Sequence, residues 1–71
     1  MDELKKCIGK PTLVAVSELK TKGYKWSPVY EFRDGDNLIS PVTSPDGVNY
    51  VLISKMDKKK MMFVVKNVTI D

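Results

Sequence analysis

The stretch VNYVLISKM (48–56), DKKK (57–60) and MMFVVKNVTI (61–70) decides the fold. Two runs rich in β-branched and aromatic residues flank a short polar tip, which is the sequence form of a β-hairpin. A four-residue loop over 57–60, built on a type I turn, pairs Met56 with Met61. Ser54 then faces Phe63, Leu52 faces Val65 and Tyr50 faces Asn67. Side chains alternate along a strand. One face therefore carries Val48, Tyr50, Leu52, Met56, Met61, Phe63 and Val65. The other carries Val51, Ile53, Met62, Val64, Val68 and Ile70, interrupted by Asn49, Lys55 and Lys66. A sheet with one solvated face alternates cleanly between apolar and polar. This hairpin is apolar on both sides, so its second face calls for a cover: a helix of this chain, a second copy or a foreign partner.

Upstream of the hairpin, SPDG (44–47) has the residues of a tight turn, with proline second and glycine fourth. Residues 38–43 form a short strand broken by Pro41, and RDGDN (33–37) is a hairpin loop in which Gly35 supplies positive φ. Tyr24 to Phe32 alternates most clearly. Tyr24, Trp26, Pro28, Tyr30 and Phe32 fall on one side, and Lys25, Ser27, Val29 and Glu31 on the other. Pro28 cannot donate to a ladder, which makes this an edge strand or one that bulges there.

Residues 11–22 read two ways. As a helix, Pro11-Thr12 starts it, Leu13, Val16 and Leu19 point inward, and Gly23 stops it. As a strand, 12–16 is a buried run followed by a loop. The β-branched density of 12–16 favours the strand, and the LKTKG ending favours the helix. Residues 2–9 read as a short helix, with Asp2 as N-cap, Gly9 beyond its end, and Leu4, Cys7 and Ile8 as one apolar stripe. That helix is one candidate cover for the second hairpin face.

These elements predict one domain over residues 1–71, mainly β, with an α+β arrangement as an option. The expected form is an antiparallel sheet or an SH3- or OB-like barrel of four or five strands with a short N-terminal helix. An open sheet with helices on one face is the runner-up.

The chain has 71 residues, one cysteine (Cys7) and no histidine. Without histidine there is no Ser-His or Cys-His pair, and Cys7 has only Lys5 and Lys6 nearby as activating charges. The expectation is a non-enzymatic protein with no cofactor and no small-molecule substrate. Asp34, Asp36 and Asn37 share the spacing of the first ligands of a calcium loop but lack its closing glutamate, so a solvated turn is expected and no metal. The opening Met1-Asp2-Glu3 is acidic where a signal peptide is basic, and no apolar run is long enough to span a bilayer. A cytoplasmic location is expected, with no membrane partner.

The net charge of +3 is unevenly spread. Residues 1–30 carry six lysines against three acids, 31–54 one arginine against four acids, and 55–71 five lysines against two acids. Lys55, Lys58, Lys59 and Lys60 make a basic hairpin tip. Such a tip contacts phosphate or an acidic protein patch, or simply keeps the edge soluble.

Two functional expectations follow. The first is a small regulator or inhibitor, of the kind phages and mobile elements encode, that binds a protein partner or itself. It would use Val51, Ile53, Met62, Val64 and Trp26, steered by Lys55, Lys58, Lys59 and Lys60. The alternative is a small β-barrel that binds nucleic acid through Lys25, Trp26 and Lys58, Lys59 and Lys60.

Overall fold

The computed structural model of the protein describes residues 2–71. Its elements in chain order are α1 (Asp2–Lys5), α2 (Thr12–Thr21), β1 (Lys25–Trp26), a 3-10 turn (Pro28–Tyr30), β2 (Phe32–Asp34), β3 (Asn37–Thr43), β4 (Asn49–Asp57) and β5 (Met62–Ile70). The protein is mainly β: a five-stranded antiparallel sheet in the order β1-β3-β4-β5, with β2 also paired to β3. Since β1 and β2 both pair with β3, they are two pieces of one edge strand, interrupted by the 3-10 turn at Pro28. The sheet is open, not a barrel, because β5 pairs only with β4 within the sheet and does not return to β1.

Residues 12–21 are a helix, which overturns the strand expectation. The reason is the period of burial. Thr12, Ala15, Val16 and Leu19 are buried, and that i, i+3, i+4, i+7 spacing fits a helix and no strand. The expected inward set is corrected as well. Leu13 is 74 % exposed, while Thr12 takes the inward place because its hydroxyl donates to buried Ser54 Oγ at 2.6 Å. Gly23 ends the helix as expected. Its φ is +92°, its N–H bonds Lys20 O, and Tyr24 N–H reaches back to Leu19 O at 3.0 Å. This double closure needs a left-handed residue, which glycine supplies without strain.

α1 is shorter than the expected helix over 2–9, ending at Lys5 and continuing as turns to Gly9. Leu4 and Cys7 are buried, but Ile8 is exposed and drops out of the stripe. The expected cap at Asp2 falls on a side chain outside the described ones.

Both helices lie on the front face of the sheet. The buried cluster joins Leu4, Cys7, Ala15, Val16 and Leu19 to Val42, Leu52, Val65 and Val68, with Tyr24, Trp26 and Tyr50 packed against it. The cross-strand rows Trp26–Val42–Tyr50–Ile70, Ser40–Leu52–Val68 and Arg33–Leu38–Ser54–Val65 all belong to this face. At the rim of the core, Glu31 Oε2 accepts from Ser40 Oγ at 2.6 Å and from Trp26 Nε1 at 3.3 Å. None of the buried serines, Ser40, Ser44 and Ser54, is left without a partner.

The hairpin register differs from the expected one. Met56 pairs with Phe63 and Asp57 with Met62, so the loop is 58–61. Ser54 faces Val65, Leu52 faces Val68 and Tyr50 faces Ile70. The slip at the tip is even, so Phe63 and Val65 keep their expected face. A register shift between Ile53 and Ser54 then leaves Lys66 unpaired on β5. This bulge reverses the parity of everything beyond it. Val68 and Ile70 turn to the front, and Asn67 and Thr69 take the rear.

The 3-10 turn does the same to the aromatic stripe. Trp26 joins the front row, but Phe32 pairs with Ile39 and points to the rear. Tyr30 and Phe32 are exposed. Gly35, with φ +62°, opens the turn between β2 and β3 at the position where a type II′ turn needs glycine.

The Thr12–Ser54 bond ties α2 to the sheet through polar atoms. Thr12→Val should cost about 1–3 kcal/mol, because a buried hydroxyl loses its partner. The double variant Thr12→Val/Ser54→Ala should recover most of that loss in a denaturant-unfolding cycle.

Candidate functional site: two uncovered apolar surfaces

The candidate cover, the helix at 2–9, packs on the front, and on the rear the described residues seal Val64 alone, beside the segment 9–11. Across the rear run two rows, Phe32–Ile39–Ile53–Asn67 and Pro41–Val51–Thr69. Phe32 is 56 % exposed and Ile39, Pro41, Val51 and Ile53 are half-buried. They form a contiguous apolar patch over β2, β3 and β4. Lys25, Thr43 and Asn49 border it at one end, and Asp34, Asn37 and Lys55 at the other.

Of the other two expected members, Val64 keeps the rear face by register, opposite Lys55, and Met62 lies opposite Asp57 at the tip. Val64 is 4 % exposed and offers no surface. The chain at residues 9–11 runs beside β5 there: Pro11 bridges Val64, Gly9 N–H donates to Val65 O at 2.8 Å, and Val65 N–H donates to Lys10 O at 2.9 Å. That segment also occupies part of the β5 edge. Met62 sits at the tip and lines a second surface on the front.

This second surface is a groove of about 500 Å³ between the first turn of α2 and the hairpin tip. Pro11, Leu13 and Val14 form one wall, Met56, Met61, Met62 and Phe63 the other, and Leu38 and Glu31 also line it. Sequence reading missed it, because it exists only once α2 is a helix with Leu13 outward. The Arg33 guanidinium lies 4.5 Å from the Phe63 ring centroid. Arg33 and Phe63 belong to opposite edges of the sheet, about 14 Å apart if it were flat, so the sheet curls around this end.

Met61 has φ +56°, the one non-glycine residue with positive φ among those described, and is 81 % exposed. The tip holds this shape through Asp57, whose Oδ1 accepts from Lys59 N–H at 3.0 Å and Lys60 N–H at 3.2 Å. Met61→Gly should raise stability by about 1 kcal/mol by removing the left-handed strain, measured by thermal unfolding.

The structure does not bring the expected nucleic-acid residues together. Lys25 pairs near Asn49 at one end of the sheet, and Lys58, Lys59 and Lys60 lie beyond Asp57 at the other. The length of β4 between them spans about 26 Å. Lys25 points rearward and is exposed, whereas Trp26 is half-buried on the front, with Lys20 Nζ 5.7 Å from its ring centroid. Lys55, Lys58, Lys59 and Lys60 are exposed.

Cys7 is buried, and its Sγ–H points at Glu3 O, 3.7 Å away. Burial pushes the thiol above its ordinary 9.0, partly offset by Lys10. That is the reverse of what an activated nucleophile needs. Among the described residues, no three His, Cys, Asp or Glu side chains gather as a metal site requires, and no helix is long and apolar enough to cross a membrane.

Compared with protein families, curated proteins and solved structures, the chain shows no significant match.

Burial also raises Tyr24 above its ordinary 10.0, helped by the negative charge of Glu3. Both folded-state values lie above the unfolded ones, so the stability they contribute is complete below about pH 9 and is lost as pH rises through the folded values. Chemical denaturation should show declining stability on the alkaline side. At pH 8, alkylation of Cys7 should be slower than that of a free thiol, in proportion to the small fraction of molecules open at that site.

Proposed function

We propose that the protein works by binding another protein, as a regulator or inhibitor without chemistry of its own, and that the rear face of the sheet is its docking surface. One observation carries this reading: Phe32, Ile39, Pro41, Val51 and Ile53 make a continuous apolar surface over three strands with no cover among the described residues. Contiguous exposed apolar patches rimmed by polar groups mark interaction sites. Such a surface gains affinity by excluding water from its centre, and the charged rim sets orientation. The lysines at 55 and 58–60 favour approach by an acidic partner.

The test uses Ile53→Asp, with Ile53→Thr to keep the β-branch. The Ile53 side chain faces away from the helices, so both variants should unfold within about 1 kcal/mol of the parent. The parent should retain a protein partner after nuclease treatment, or show concentration-dependent mass in solution. Ile53→Asp should lose either behaviour. An Ile53→Asp variant that binds and sediments like the parent would remove the rear face as the site, and capture abolished by nuclease would favour nucleic acid instead.

A further inference from the structure

We propose that the front groove between α2 and the hairpin tip receives an acidic amphipathic helix of a partner protein, apolar side inward. The inference rests on the protein-binding reading above but on a different surface.

Three observations carry it. The first is the lining. Leu13 and Met61 stand on opposite rims, 74 % and 81 % exposed, with Val14, Met56, Met62 and Phe63 between them. Three methionines give a wall that adapts to the side chains it meets, a property of surfaces that accept apolar helix faces.

The second is that free hydrogen-bonding capacity among the lining side chains is scarce, with the Glu31 carboxylate as the exception. The polar side chains on the lining are those of Thr12 and Glu31. The Thr12 hydroxyl is given to Ser54, and Glu31 Oε2 is held by Ser40 and Trp26. Most of the groove wall is side chain, and residues 9–11 already take the β5 edge at Val65. An extended peptide would find few partners there for its backbone, whereas a helix brings its backbone already paired.

The third is charge. Arg33, Lys55 and Lys58 share an adjoining depression with Met56, and Lys59 and Lys60 precede Met61 in the tip. The one salt bridge among the described residues is Lys10–Glu18, so none of these five cations is paired in that way. The Asp57 carboxylate faces backbone N–H groups of the tip, and Asp36 is the carboxylate in the depression. A helix with glutamates flanking its apolar stripe meets complementary charge on this rim.

The test is methyl NMR on the full chain, following Met56, Met61 and Met62. Three synthetic peptides of one length serve as probes. One carries leucine and phenylalanine at i, i+3, i+4 and i+7 with glutamates elsewhere, one replaces the glutamates with lysines, and one scrambles the glutamate peptide. The glutamate peptide should shift the three methionines and the Leu13 and Val14 amides, leave Val51 and Ile53 in place, gain helix on binding and weaken as salt rises. Leu13→Asp should abolish the shifts. It adds an acid to a first turn that has none, which favours folding. Lys58→Glu/Lys59→Glu/Lys60→Glu should weaken binding about tenfold or more, and Ile53→Asp should leave it unchanged.

The proposal is overturned if the methionines do not respond to the glutamate peptide, or if the lysine or scrambled peptide binds equally well. It is also overturned if decanoate moves them where the peptide does not, or if they shift with protein concentration alone. The last two results would assign the groove to a lipid-like anion or to a second copy. Loss in Ile53→Asp equal to that in Leu13→Asp would move the peptide site to the rear face, while normal peptide binding by Ile53→Asp would leave the rear-face reading to its own test.

Discussion

The docking of two helices on one side of the sheet depends on a single unpaired residue, Lys66. The β5 bulge lets Val65 and Val68 both face the helices, although three positions apart. Without it, uninterrupted alternation would send Asn67 and Thr69 inward beneath Leu52 and Tyr50, and Val68 and Ile70 outward. An unpaired amide in the core costs more than the packing it replaces. The bulge therefore makes the front apolar enough to hold Leu4, Cys7, Val16 and Leu19, and at the same time makes the β5 part of the rear polar.

With the helices committed to the front, the two remaining apolar surfaces have different physical characters. The rear patch is built from alternating strand residues on the open sheet and is broad and shallow. The front groove is concave, because α2 covers only part of the curled sheet and leaves the hairpin end projecting past it. Its walls come from a helix turn and a strand tip, so their separation depends on the Thr12–Ser54 contact that fixes the start of α2 over β4.

Charge follows the same geometry. The acids of the middle segment are distributed between roles: Glu31 binds Trp26 and Ser40, Asp34 and Asp36 stand at the β2–β3 turn, and Asp46 lies in the turn before β4. The C-terminal lysines are concentrated where the hairpin turns. A modest total charge thus becomes a strong local one beside the groove, where the field is less screened by opposing side chains. Cys7, the other reactive group in the chain, is turned into the core and serves packing.

The β-rich composition, the C-terminal hairpin, a turn within 33–37 (which pairing of Arg33 and Asp34 shortens to 35–36) and one at 44–47, the stop at Gly23 and the basic tip were all legible in the residues, because each depends on chemistry within a few positions. So was the surplus of apolar surface on the hairpin. What alternation alone could not give was parity beyond an interruption. Pro28 signalled a break, but the direction of Phe32 depended on the 3-10 turn, and nothing local marked Lys66 as the extra residue. Residues 12–21 were equally ambiguous, since their β-branched side chains suit a strand until a sheet face is present to bury Thr12, Ala15, Val16 and Leu19 together. Local sequence thus determined which segments form a sheet and where they turn. Tertiary packing decided which face each side chain joined, and so where apolar surface was left open, because burial against α2 selects among registers that are nearly equal in isolated strands.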